Sequence, residues 1–178
     1  MSAIETLLQE LDQEARVTMR VLERVPDEHL GWRPHEKSWS LGQLALHIAT
    51  LPGAIATLSQ RSPFPVPTFA QAQAGSASEL VPALVQSVAT ARETLRSMGD
   101  EGLGRTWRLV DGDHEVMQMP VGILLRTLML NHWYHHRGQL TVYLRQIGVP
   151  VPSVYGPSAD ENPFATPGVE PTTAAVAV

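Results

Sequence analysis

Residues 131–139, Asn131-His132-Trp133-Tyr134-His135-His136-Arg137-Gly138-Gln139, lie inside a longer apolar repeat that predicts the last helix of a bundle. Leu124, Leu125, Leu128, His132, His136, Leu140 and Leu144 recur at helical spacing. Pro120 suits the first turn of this helix, and Gly148, just before Pro150, suits its end. His132 and His136 are four residues apart, which puts their β-carbons about 5–6 Å apart on one face. Both rings can then reach one metal ion at about 2.0–2.1 Å. Leu125, Leu128, Leu140 and Tyr143 share that face, so it is expected to point into a bundle. An imidazole buried without a partner costs about 1–3 kcal/mol. A divalent cation would serve both rings at once. The competing reading is a pair of core or surface histidines hydrogen-bonded to carbonyls or carboxylates.

Outward from this helix the chain shows three more. Ile4, Leu7, Leu8, Leu11, Ala15, Met19 and Leu22 form a stripe over residues 4–24, stopped by Pro26 and Gly31-Trp32-Arg33-Pro34. Ser40 and Gln43 form a capping-box signal for a second helix carrying Leu41, Leu44, Ala45, Ile48 and Leu51. Pro52 should bend or shorten it. Residues 61–78, rich in Pro, Ser, Ala, Gln and Gly, read as a long crossover connection. Leu80, Leu84, Val88, Ala91 and Leu95 mark a third helix, with its start blurred by Pro82. Alternation around Trp107 and Leu109, then Asp111-Gly112, then Val116 predicts a small β-ribbon before the last helix. Four amphipathic helices and one crossover predict an all-α four-helix bundle. Residues 1–164 form one domain in this reading, and 165–178, small and nearly uncharged, a disordered tail.

The composition narrows the chemistry. The 178 residues include seven histidines and no cysteine, so any metal must be held by nitrogen and oxygen. A net charge of −5 and a pI near 5.8 argue against a nucleic-acid partner. The apolar runs read as too short for a membrane span, and the acidic start has no signal-peptide pattern, so a cytoplasmic protein is expected.

A third histidine, His47, lies mid-helix beside Leu44, Ile48 and Leu51. By itself it would read as a satisfied core residue; with the 132/136 pair it completes a three-nitrogen set that leaves coordination positions open for water or substrate. His135 projects about 100° from His136 and reads as an outer neighbour or an exposed residue, with Asn131 beside it as a polar flank. His29, His35 and His114 fall in turns or ribbon and are expected at the surface. Trp32, Trp39 and Trp107 are either cleft-lining or core. Arg137 could hold an anionic substrate group or pair with Asp160 or Glu161. Tyr155 and Asp160-Glu161 sit in a loop that could fold over the metal and supply a general base.

Taken together, Trp32-Arg33-Pro34, Trp39-Ser40-Leu41-Gly42-Gln43-Leu44, His47, Asn131-His132, His136-Arg137-Gly138-Gln139-Leu140 and Gly148-Val149-Pro150-Val151-Pro152 resemble the DinB/YfiT-like family of metal-dependent proteins, over residues 4–164. The resemblance implies a bundle in up-down-down-up order, a metal held by His47, His132 and His136, and a homodimer. Zn or Ni is the expected ion, with Fe or Cu also suited to imidazole. Relatives in the wider superfamily imply a small-molecule substrate and a low-molecular-weight thiol, hence a thiol-dependent S-transferase. A hydrolase using a metal-bound water, or a non-catalytic metal-binding or structural bundle, are the alternatives.

Overall fold

Two serines start the first two long helices by the same device. In the computed structural model, which describes residues 2–68 and 70–165, helix α1 spans Ala3–Leu22 and α2 spans Leu41–Leu58. Ser2 accepts from the Glu5 amide while Glu5 accepts from the Ser2 amide; Ser40 and Gln43 repeat the exchange. The tail expected to be disordered lies, beyond Ala165, outside the described residues. Helix α3 (Leu80–Leu103) follows a short 3-10 turn and breaks at Gly99. The fourth helix begins as α4 (Val121–Leu124), passes through a π-helical stretch (Leu125–Asn131) and continues as α5 (His132–Gln146). The wider π turn ends where the paired histidines begin, a placement often found at functional sites.

Cross-helix contacts give the topology. Ile4 at the start of α1 donates to Asp100 at the end of α3, and Asp12 pairs with Arg92, so these two helices run antiparallel. Glu10 meets Arg126, and Glu14 meets Arg137, so α1 and the fourth helix run parallel. The start of α2 packs on Gln73 just before α3, and Leu58 near its end accepts from Trp107 just after α3. Helices α2 and α3 are therefore also parallel, joined by the long crossover. This is the up-down-down-up order.

The predicted ribbon is present as β2 (Thr106–Asp111) and β3 (His114–Pro120). Asp111 opposes His114, so Gly112-Asp113 is the two-residue turn. Gly112 has φ +57° and Asp113 stays at negative φ, the pattern of a II′ hairpin. The crossover, read from sequence as a plain connection, adds a strand of its own: β1 (Phe64–Pro65) pairs parallel to β2.

Pro52 neither bends α2 to a stop nor shortens it; the helix runs on for six residues. The missing amide hydrogen leaves the Ile48 carbonyl without its i+4 donor, and the indole Nε1 of Trp133 supplies one at 2.9 Å. One residue further on, Gly53 donates to the Ser87 hydroxyl at 2.8 Å, and Ser87 donates to the Thr50 carbonyl at 3.0 Å. A β-carbon at Gly53 would meet the Ser87 carbonyl oxygen at 2.8 Å, so glycine is what allows α3 this close. Trp133→Phe should cost about 1–3 kcal/mol in a urea titration, because it strands a buried carbonyl. Adding Pro52→Ala should recover most of that loss by returning a backbone donor. No recovery would mean the indole acts by volume alone.

Helix α2 also corrects the reading that every apolar run is too short for a membrane: its 18 residues have mean hydropathy 1.4. Ten of them are buried, however, including Leu44, Ala45, Ile48 and Ala49, so its apolar residues serve the core of the bundle.

Candidate metal centre

Helix α2 delivers His47 and α5 delivers His132 and His136 to one point. Their candidate ligand nitrogens all lie within 4.8 Å of one another. Ring centroids are 4.4 Å apart for His132–His136, 4.7 Å for His47–His136 and 5.4 Å for His47–His132. The Trp133–Ile48 hydrogen bond fixes this meeting, since each partner directly follows a histidine of the set in sequence. Nε2 of His132 and Nε2 of His136 face each other at 2.6 Å. Two lone pairs opposed so closely repel unless a cation or a proton lies between them.

The other ring nitrogens show which atoms are available. His136 Nδ1 is 2.7 Å from Gln139 Oε1, which accepts its hydrogen and leaves Nε2 as the free donor of electrons. His132 Nδ1 is buried and closes no hydrogen bond among the described residues. His47 Nε2 is buried and has no hydrogen-bond partner among the described residues. A buried polar atom in that state asks for a ligand. The donor set, three imidazoles with two buried, unpartnered nitrogens among the described residues and no cysteine, fits a divalent ion of borderline softness.

Burial, followed by the charges of His136 and His132, lowers the His47 pKa from 6.5 to about 4, against the opposing Gln71 side chain. Burial leads the downward shifts of His132 and His136 as well, with the charge of His135 adding to both. All three are thus neutral near pH 7, the form that binds metal. In the metal-free protein His47 holds protons less tightly folded than unfolded, so acid favours unfolding. The stability tied to its neutral form is complete above about pH 6.5 and is lost as pH falls toward 4. The urea midpoint of metal-free protein should fall across that window, and His47→Leu should flatten the fall.

Trp39, 38% exposed, walls the site: its ring stacks on His136 at 5.5 Å and meets His47 edge-on at 5.0 Å. Together with Trp39, His47 and His132 open onto a cleft of about 1100 Å³ between α2, α3 and the crossover.

Comparison with known proteins agrees with this architecture. The DinB family model matches residues 1–167. The chain belongs to the DinB family. It is 34% identical over 164 residues to the uncharacterized protein YrdA of Bacillus subtilis, covering 89% of this chain and 91% of that protein. The crystal structure of a DinB-like protein from Bacillus cereus is 32% identical and superposes with a TM-score of 0.69, covering 85% of this chain and 97% of that one. A second DinB-like structure, YjoA of Bacillus subtilis, shares the fold at TM-score 0.59 and 22% identity, over 82% and 95% of the two chains.

The other candidate residues of this DinB-family chain lie elsewhere. Arg137 does not face the histidines and does not pair with Asp160 or Glu161. One helical step round from His136, it is turned to α1, where it pairs with Glu14 at 2.7 Å and donates to Thr18 at 3.0 Å. Tyr155 hydrogen-bonds both members of that pair instead of covering the metal site. Its hydroxyl pKa is raised to about 12, mainly by burial and by the Glu14 carboxylate, which makes it a poor proton donor or acceptor near neutrality. Asp160 pairs with Arg145, and Glu161 with Arg20, and both accept from loop amides at Val151 and Ser153. These contacts lower both carboxyl pKa values, side-chain bonding leading for Asp160 and backbone bonding for Glu161. They clasp the loop to the bundle, so neither is placed as a general base at the histidines. His135 is exposed, its ring 5.1 Å from that of His136. His35 and His114 are exposed as expected, but His29 is half-buried, with Nδ1 lacking a partner among the described residues. Trp107 is core, Trp39 lines the cleft, and Trp32 packs edge-on against Tyr143.

Sequence reading missed Gln139, Trp133 and Gln71 as parts of the site. Gln139 had a usable signal: it stands one turn beyond His136, where its oxygen reaches the ring.

Proposed function

We propose that this chain is a small metalloenzyme in which His47, His132 and His136 hold a divalent ion, Zn or Ni in the first place, and which transfers a group to or from a thiol. The observation that carries the reading is the orphaned His47 Nε2, set beside two facing imidazoles at the head of an open cleft. An ion held there by His47, His132 and His136 would supply Lewis acidity that stabilises a thiolate or an activated water. The protein's own part is to orient and to exclude. Gln139 sets the tautomer of His136, Trp133 holds α5 against α2, and Trp39 shields the rings from bulk water. The cleft supports catalysis over a purely structural ion, which would be sealed off. With no cysteine in the chain, a reacting thiolate has to arrive as a small-molecule co-substrate.

Tag-free protein screened against electrophilic and ester substrates, with and without added low-molecular-weight thiol, tests this. Turnover that needs both metal and thiol is the expected result. Metal-dependent turnover without thiol would replace the transferase reading by a hydrolase. Stoichiometric metal with no turnover in either arm would leave a metal-binding bundle.

A further inference from the structure

The cleft is the product of two facing rows of small side chains. From His47, the face of α2 that borders it continues through Thr50, Ala54 and Thr57, at three- or four-residue steps, to Arg61 just past the helix end. On α3 the opposing row is Ala83, Ser87 and Thr90. Small residues at matched positions on two parallel helices leave a groove between them, and Phe64, Pro67 and Gln71 of the crossover border its outer side. His47 and Leu58 are eleven residues apart on α2, so the groove runs about 16 Å along the helix axis before it reaches Arg61.

The charges along it are unequal. Beyond the histidines at its head, which are neutral near pH 7, Arg61 is the one charged side chain lining the groove among the described residues. Its guanidinium sits over the Phe64 ring at 5.4 Å and, among the described residues, pairs with no carboxylate. Stacking on an aromatic face holds a guanidinium in place while leaving its in-plane N–H groups free to bind a carboxylate two at a time.

We propose that the groove binds an elongated substrate with an apolar body and a terminal carboxylate, the carboxylate held by Arg61 and the reacting end presented to the three histidines. This names the substrate class for the metalloenzyme reading and rests on it only for the reacting end; the hold on the carboxylate needs no metal. The polar groups of the groove walls are mostly hydroxyls and carboxamides, which tolerate an alkyl or aryl chain without asking for charge. The shape and the one cation found among the described lining residues together favour a monoanion over a zwitterion or a polyanion.

The test is calorimetric titration of the metal-free full chain with octanoate, 1-octanol and octylammonium, which share a chain and differ in head-group charge. Octanoate should bind in a saturable one-to-one manner and about tenfold more tightly than octanol, with octylammonium weakest. Arg61→Gln, at an exposed position, should bring octanoate down to octanol, while Arg61→Lys keeps part of the difference. Ala54→Phe, also exposed, should fill the groove and weaken octanoate and octanol alike. Equal binding of octanoate by wild type and Arg61→Gln, or of octanoate and octylammonium by wild type, would overturn the proposal. So would octanoate binding that appears only after metal loading, since the carboxylate would then sit at the histidines. Metal analysis of the same preparations reports separately on the metal site, so the two readings can fail independently.

Discussion

Single replacement of His47, His132 or His136 by alanine is expected to abolish stoichiometric metal. The three nitrogens form one set within 4.8 Å, drawn from two helices, and each removal leaves a two-nitrogen site. Loss of an outer hydrogen-bond partner alone typically weakens a metal site by about 10–100-fold, so loss of a ligand should exceed about 100-fold. Elemental analysis of tag-free protein after dialysis reads this directly. Gln139→Leu provides the scale: it should retain metal at high concentration but release it to a mild chelator first, because His136 loses the partner that fixes its tautomer. His135→Ala, at an exposed ring outside the set, should keep wild-type occupancy. Full occupancy in all three alanine variants would remove the assignment.

The largest effect on stability is expected on the other side of the same helix. Arg137 is 1% exposed and Glu14 5%, and the pair is closed by Thr18, Tyr155 and the ring faces of Tyr134 and Tyr155. Removing one member of such a pair leaves the other charge buried and uncompensated, typically a loss of about 3–5 kcal/mol. Arg137→Met should therefore lower unfolding stability in urea by about 3 kcal/mol. Combining it with Glu14→Leu should return much of the loss, since two apolar side chains can fill the space that two desolvated charges occupied. Metal content should stay at the wild-type level in the double variant, because this pair faces α1. A loss below about 1 kcal/mol for Arg137→Met would mean that water reaches Glu14 and solvates it.

How far the sequence carried can be read from individual residues. The three histidines were legible because helical periodicity puts His132 and His136 on one face, and because His47 lies on the apolar side of its own helix. The hairpin was legible from Asp111-Gly112, and the start of α2 from Ser40 and Gln43. Arg137 was misplaced for a geometric reason: adjacent residues on a helix point about 100° apart, so sequence neighbours of a ligand face elsewhere. Its true partner, Glu14, lies 123 residues away, and its burial beneath the α1 stripe was hidden because Glu and Thr there look like solvent-facing positions. Strand β1 was illegible because two residues carry no periodicity, and their pairing comes from β2, more than forty residues on. By its local rule alone, Pro52 reads as a break or bend in α2. The tertiary donor that makes it tolerable belongs to a residue 81 positions later.

That donor has a wider effect. Because Pro52 withholds a hydrogen that the Trp133 indole replaces, α2 and the fourth helix have one frame in which the Ile48 carbonyl is satisfied. A slip of one helical turn, about 5.4 Å, would strand that carbonyl and carry His132 past His47 in the same movement. Backbone closure and imidazole convergence therefore succeed or fail together. The apoprotein is held in the alignment that an ion would select, so the cost of assembling the site is met during folding and little of the ion's binding energy goes into moving helices.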